Sequence, residues 1–108
     1  MNLTTMTFDL SDGIATITLN RPDAANALDL KMSQDLLAVA SRCDSADVRA
    51  VILTGNGKMF CAGGDVLSFA AAGDGVTELM RNMTCFLHGA IARFARMNAP
   101  LITAINGT

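Results

Sequence analysis

The stretch Phe60-Cys61-Ala62-Gly63-Gly64-Asp65-Val66 is the strongest indication of the fold in this sequence. It follows Val51–Gly55 (VILTG), a run of β-forming residues typical of a buried strand. Its two adjacent glycines allow positive φ angles and leave backbone N–H groups uncovered, while Asp65 suits the start of a helix. The first N–H groups of a helix have no intrahelical acceptor. A strand, a glycine loop and a helix in this order therefore predict a backbone site for an anion.

The residues before this loop predict a hairpin and a helix. Thr7–Leu10 and Ile14–Leu19 read as antiparallel strands around the turn Ser11–Gly13, and the second strand places Ala15, Ile17 and Leu19 on one face. Asn20–Asp23 breaks the strand, and Asp29 is the expected cap of the helix that follows. The apolar stripe expected on this helix comprises Met32, Leu36, Val39 or Ala40, and Cys43.

The remaining elements complete an α/β pattern. Val48–Leu53 is expected to be a strand buried on both faces, and Asp65–Ala72 a short helix that Gly73–Gly75 stops. A long helix from about Val76 to Met97 and a last strand, Leu101–Ile105, follow. The order β-β-α-β-α-α-β predicts one domain whose later strands are parallel and joined by right-handed helical crossovers.

Composition excludes several classes of function. The chain has 108 residues, 51% hydrophobic and 17% charged, with a net charge of −2, so electrostatics favour neither nucleic acid nor an anionic membrane as a partner. No apolar run reaches the roughly 20 residues that span a bilayer. Three cysteines without paired metal spacing indicate a reduced, cytoplasmic setting and no metal site, and His88 is the only histidine.

The glycine loop resembles the first oxyanion-hole motif of the crotonase family, the enoyl-CoA hydratase/isomerase superfamily. Three further segments match the family in order: Asn20-Arg21-Pro22 with Asn26-Ala27-Leu28, Val51–Gly55, and Ala99–Gly107. Four ordered matches are far more specific than one. The resemblance implies an α/β fold, the ββα superhelical spiral, of which this chain is the N-terminal part only. It also implies an acyl-CoA thioester as substrate, with hydration of a 2-enoyl-CoA as the default reaction and isomerisation or hydrolysis left open.

The resemblance also assigns roles to particular residues. Gly64 N–H would be the first oxyanion donor, and the Ala62 carbonyl would accept from the adenine amino group of CoA. Arg21 and Lys58 could pair with CoA phosphates, or could equally be solvated surface charges. Coenzyme A is part of the substrate, so no separate cofactor is implied. The full set implied to bind the thioester is Arg21, Ala24, Ala25, Lys58, Ala62, Gly63, Gly64, Asp65, Val66 and Leu67.

Other side chains near the loop have plainer interpretations. The family places the wall of the acyl pocket at Leu67, Phe69 and Met80, although core packing is the favoured role for Met80. Asp65 is favoured as a helix cap over a general acid or base, because a carboxylate bonded to N–H groups has a lowered pKa. Asn26 is interpreted as a turn residue, and His88 as structural or surface-exposed.

In the family, a second oxyanion donor and the acid/base carboxylates follow the segment that Asn106–Thr108 resembles. Residues 1–108 are therefore expected to be the N-terminal part of a crotonase-like domain, truncated before the second oxyanion-hole glycine and inactive alone. The alternative is a non-catalytic product that binds CoA or another subunit. The complete protein is expected to form a homo-oligomer, a trimer or dimer of trimers, and the apolar surplus of this chain predicts self-association.

Overall fold

The computed structural model describes all residues from Met1 to Thr108. In chain order the elements are β1 (Met6–Ser11), β2 (Ile14–Leu19), α1 (Leu30–Cys43), β3 (Ala50–Gly55), α2 (Val66–Ala72), α3 (Val76–Arg96) and β4 (Leu101–Ala104). Short 3₁₀ turns lie at Pro22–Ala24 and Gly73–Gly75. None of the helices has the combination of length and apolar composition required of a membrane span.

The four strands form one sheet in the order β1-β2-β3-β4. β1 and β2 are antiparallel, and their turn uses positive φ at both Asp12 (54°) and Gly13 (80°), as a tight hairpin requires. β2, β3 and β4 are mutually parallel, with α1 connecting the first two and α2 and α3 connecting the last two. The predicted hairpin and parallel sheet are confirmed.

The core lies between one face of the sheet and the helices α1 and α3. Alternate residues of β2, namely Ala15, Ile17 and Leu19, are buried there, as their period-two spacing predicts. They pack in one cluster with Phe94 and Ala90 of α3. The stripe predicted on α1 is confirmed, since Met32, Leu36, Val39, Ala40 and Cys43 are all buried.

The predicted start and burial of β3 are wrong. β3 begins at Ala50 rather than Val48, and only its Val51 is buried, so the strand is not covered on both faces. The physical reason is that α1 and α3 pack in the cluster that contains Val51, while Ile52 on the opposite face remains partly exposed. The predicted end of α2 is confirmed, because the helix ends at Ala72 with Gly73 as its C-cap (φ of +55°), and Gly73–Gly75 forms a 3₁₀ turn between α2 and α3.

A buried carboxylate anchors the N-terminal segment. Asp35 Oδ2 accepts hydrogen bonds from the N–H groups of Thr4 and Thr5, each at 3.0 Å, and from Thr5 Oγ1 at 2.7 Å. Its Oδ1 lies 2.8 Å from Lys31 Nζ. Burial raises the pKa of Asp35, but the bonds from Lys31, Thr5 and Thr4 together outweigh burial, so the pKa lies below its ordinary value. The ionised form is therefore the one that holds the N-terminus to α1.

Candidate functional site

The glycine loop is held by a short parallel pairing with the residue that precedes the α1 cap. Leu28 N–H donates to Gly63 O at 2.7 Å, and Asp65 N–H donates to Leu28 O at 2.8 Å. These two bonds flank Gly64, whose own N–H is left out of the pairing. Gly64 N–H donates to no acceptor in the protein, and Gly64 is exposed. A rigidly held, unpaired peptide donor is the arrangement that an oxyanion site requires.

Glycine is needed at both positions of the loop, for different reasons. Gly63 has φ of +99°, a conformation that other residues rarely adopt. At Gly64 a Cβ would lie 2.8 and 2.9 Å from two ring carbons of Phe69. The ring of Phe69 therefore packs directly on the Gly64 backbone.

Asp65 begins α2, as predicted. Its Oδ1 accepts from Ser68 N–H at 3.2 Å, and its Oδ2 accepts from Arg21 Nη2 at 3.0 Å. The hydrogen bond from the Arg21 guanidinium, followed by the Ser68 N–H bond, holds the pKa of Asp65 below its ordinary value. A carboxylate so engaged is a poor proton carrier, which agrees with the capping interpretation.

The Arg21 guanidinium contacts acidic side chains and a backbone carbonyl of the protein itself. Its Nη2 lies 3.0 Å from Asp65 Oδ2 and 3.5 Å from Asp29 Oδ2, and its Nη1 donates to Ala27 O. Only 22% of its side chain is exposed. The interpretation as a solvated surface charge is wrong, because two carboxylates and a carbonyl surround the guanidinium; a contact with CoA phosphate stays a prediction. Lys58, by contrast, is exposed and forms no ion pair, so both of its interpretations stay open.

Asn26 does more than turn the chain. It has φ of +54° and a fully buried side chain. Its Oδ1 accepts from Arg21 N–H at 2.7 Å, and its Nδ2 donates to the carbonyls of Asn56 and Met59, each at 2.9 Å. Asn26 thus joins the turn that carries Arg21 to the loop that leads into Gly63 and Gly64.

The two loops implied to face CoA meet through their backbones. Ala62 N–H donates to Ala25 O at 3.0 Å, and Ala24 O accepts from Ala27 N–H at 3.0 Å. The carbonyl of Ala62 accepts no bond from the protein. Asp23 and Ala24 lie in the 3₁₀ turn that Pro22 begins. Residues 21–27 and 59–65, distant in sequence, are therefore hydrogen-bonded to each other.

An apolar cavity of about 210 Å³ borders Gly64. Met80 lines the cavity and is 42% exposed. The favoured interpretation of Met80 as a core residue is therefore wrong, because α2 and the first half of α3 pack against each other without burying this side chain. Leu67 is 83% exposed and Val66 72%, and neither lines the cavity. The implied place of Leu67 in an acyl wall is therefore not supported. The complete lining is Leu28, Gly64, Phe69, Met80, Met83, Thr84 and Leu87.

A larger cavity of about 340 Å³ lies at the other end of α1, lined by residues 43–46, 48 and 98–99, and shares no residue with the glycine loop. His88 is exposed on α3 and its side chain forms no hydrogen bond, as expected. Neither feature adds to the site around Gly64.

Sequence reasoning missed the residues that hold the site rather than form its surface. Leu28 pairs with Gly64 and lines the cavity, although its sequence context indicates only a place in the Asn26-Ala27-Leu28 segment. Asn106 Oδ1 accepts from Gly55 N–H at 3.1 Å, and its Nδ2 donates to Gly57 O at 2.9 Å. A Cβ on Gly107 would overlap the carbonyl oxygen of Lys58, so the segment after β4 packs directly against the loop after β3. The sequence signal for these roles is that Leu28, Asn106 and Gly107 lie in segments that resemble the family.

Comparison with known proteins agrees with this geometry. The profile of the family described as enoyl-CoA hydratase/isomerase matches residues 9–108. A protein named "Probable enoyl-CoA hydratase" from Rhodobacter capsulatus is 36% identical over 107 residues, which is 99% of this chain and 40% of that protein. The human protein "Enoyl-CoA delta isomerase 2" is 30% identical over 95% of this chain and 26% of its own length.

The fold is also similar to that of solved structures. The enoyl-CoA hydratase from Bacillus anthracis superposes with a TM-score of 0.84 at 30% identity, covering 96% of this chain and 40% of that chain. This chain thus spans well under half the length of the relatives it matches. The sheet, the helices and the glycine loop are the part of the fold that they share, and the chain belongs to the enoyl-CoA hydratase/isomerase (crotonase) family.

Proposed function

We propose that this chain forms the thioester-binding half of an active site that acts on acyl-CoA, with Gly64 N–H as a donor to the thioester oxygen. One observation carries the proposal. Gly64 N–H has no acceptor in the protein, its peptide is fixed on both sides by bonds to Leu28, and it borders an apolar cavity.

The chemistry follows from where charge develops. When a nucleophile adds at Cβ of a 2-enoyl thioester, or a proton leaves Cα, negative charge collects on the thioester oxygen. A preorganised N–H about 3 Å from that oxygen stabilises the charge, and losing one such donor typically costs about 3–4 kcal/mol. The apolar cavity would hold the acyl chain, and the free carbonyl of Ala62 would accept from the adenine amino group.

The carboxylate next to Gly64 is not assigned a role in proton transfer. Asp65 is the carboxylate next to Gly64, and it is bound by Arg21 and Ser68 with a lowered pKa. It is therefore unsuited to carry a proton at neutral pH. Hydration of a 2-enoyl-CoA is the favoured reaction. Double-bond isomerisation is the second candidate, because a human relative carries that name; hydrolysis of the thioester uses the same donor.

Paired substitutions at Gly64 test the donor. Gly64→Ala keeps the N–H, whereas Gly64→Pro removes it, and both add atoms next to Phe69. In the protein at its full encoded length, kcat/KM for crotonyl-CoA is expected to be about 10²–10³ lower for the proline variant than for the alanine variant. The assay follows loss of enoyl absorbance, with circular dichroism to confirm folding. Equal losses in both variants would assign the effect to the Phe69 contact and eliminate Gly64 as the donor.

Assembly and location are part of the same proposal. We propose that the complete protein is a cytoplasmic homo-oligomer, a trimer or dimer of trimers. The support is apolar surface on this chain that no residue of the chain covers: the exposed large side chains include Val66, Leu67, Ile91, Ile102 and Ile105.

A further inference from the structure

The Arg21 guanidinium contacts three residues that stand beside the Leu28–Gly64 pairing. Its Nη1 donates to the carbonyl of Ala27, and its Nη2 lies 3.5 Å from a carboxylate oxygen of Asp29. These are the residues immediately before and after Leu28. The same Nη2 donates to Asp65, the residue immediately after Gly64, at 3.0 Å.

The Arg21 side chain therefore connects the two segments that pair at Leu28 and Gly64. This pairing has only two backbone hydrogen bonds. An isolated bridge of this kind has no neighbouring ladder to fix its register. Asp65 and Asp29 are also the caps of α2 and α1, so the guanidinium links the starts of two helices. A planar fork with several donors can make such contacts simultaneously, whereas a lysine ammonium cannot reproduce their geometry.

These contacts are largely sheltered from solvent. The side chain of Arg21 is 22% exposed and that of Asp65 is 11% exposed, and the Arg21 backbone is fixed by Asn26 Oδ1. The carboxylates of Asp29 and Asp65 both face the Arg21 guanidinium, so its positive charge is balanced within the protein. This is the opposite of a surface ion pair, such as that between Arg42 and Asp47, whose side chains are 36% and 56% exposed.

We propose that Arg21 is a positioning residue: it holds the Leu28–Gly64 pairing, and through it the direction of the Gly64 N–H. The inference rests on the proposed role of Gly64. It differs from a contact between Arg21 and CoA phosphate, because its effect is transmitted through the protein backbone and does not require the nucleotide part of the substrate.

Two substrates separate these roles in the full-length protein. With Arg21→Lys, kcat for crotonyl-CoA is expected to fall about 10–100-fold with little change in KM, since small displacements of a catalytic group have effects of this size. The same fall is expected with crotonyl-pantetheine, which has no nucleotide. A rise in KM confined to the CoA thioester would show a phosphate contact and overturn the inference, as would wild-type kcat. Arg42→Lys is the matched control and is expected to retain wild-type kinetics.

A second measurement does not depend on activity. In ¹⁵N-labelled protein, Arg21→Lys is expected to shift the Gly64 amide resonance and to speed hydrogen exchange at Leu28 and Asp65, while Arg42→Lys leaves all three unchanged. Unchanged amides in Arg21→Lys would overturn the inference. If the wild-type protein turned over no enoyl thioester, the proposed function would fail, and this experiment would still decide whether Arg21 holds the loop.

Asp65→Asn provides an independent route should Arg21→Lys fold poorly. Asparagine still caps a helix but removes the charge that Arg21 contacts. We expect Asp65→Asn to lower kcat in the same direction and to shift the Gly64 amide. The variant that carries both Arg21→Lys and Asp65→Asn is expected to have a kcat no lower than that of the more impaired single variant. The reason is that each substitution already breaks the contact between Arg21 and Asp65. Fully additive losses would mean that Arg21 and Asp65 act separately and would overturn the inference.

Discussion

Substitutions at Asn26 test how strongly one buried amide holds the two loops of the site together. Its side chain makes three hydrogen bonds, at 2.7, 2.9 and 2.9 Å, and its backbone has φ of +54°. Asn26→Gly removes the three bonds but tolerates the backbone conformation. Asn26→Ala removes the same bonds and keeps a Cβ in the left-handed region, which Ala tolerates less well than Asn or Gly.

The expected magnitudes follow from these contacts. At about 1 kcal/mol of net stability for each hydrogen bond, Asn26→Gly should lower the free energy of unfolding by about 3 kcal/mol. Asn26→Ala should lower it by about 1 kcal/mol more, the usual penalty for a left-handed residue with a Cβ. Asn26→Asp keeps the acceptor for Arg21 N–H but turns an oxygen toward the carbonyls of Asn56 and Met59. Its penalty should therefore be largest when the new carboxyl is ionised and smaller in acid.

Far-ultraviolet circular dichroism during urea unfolding measures these differences, because the chain has neither Trp nor Tyr for fluorescence. The slope with urea should be unchanged among the variants, so that midpoints report stability. A loss below about 1 kcal/mol for Asn26→Gly would contradict this prediction, since it would mean that water replaces the three bonds at no cost. Equal stability of the glycine and alanine variants would refute the contribution assigned to φ.

Two further predictions concern pH and association. Because the pKa of Asp35 is lowered in the folded state, its contribution to stability is present above the unfolded pKa of about 3.9 and is lost as pH falls through the folded pKa. The free energy of unfolding of Asp35→Asn should therefore lie below that of the wild type at neutral pH and approach it in acid. A difference between the two that widens in acid would contradict this prediction. The isolated 108-residue chain is expected to self-associate through its exposed apolar side chains, which sedimentation at several concentrations measures, and a clean monomer would contradict it.

Local features of the sequence were sufficient for most of the fold. The alternation at Ala15, Ile17 and Leu19 and the stripe from Met32 to Cys43 reflect the repeat of a strand and of a helix, and both are buried as predicted. Asp29 and Asp65 cap their helices because capping involves only the next few residues. The burial of β3 could not be predicted in the same way, because the burial of a strand depends on which elements cover each of its faces.

Within the site, neighbouring residues in the chain were enough to predict the glycine loop, its place after a strand, and the cap that follows it. The packing of the sheet and helices was needed to show that Asn26 bridges two loops, that Arg21 lies between Asp29 and Asp65, and that Met80 lines a cavity instead of the core. The physical reason is distance along the chain. Turns, caps and periodic faces are set by neighbours a few residues away, whereas the partner of a buried amide or guanidinium is set by how the sheet and helices pack.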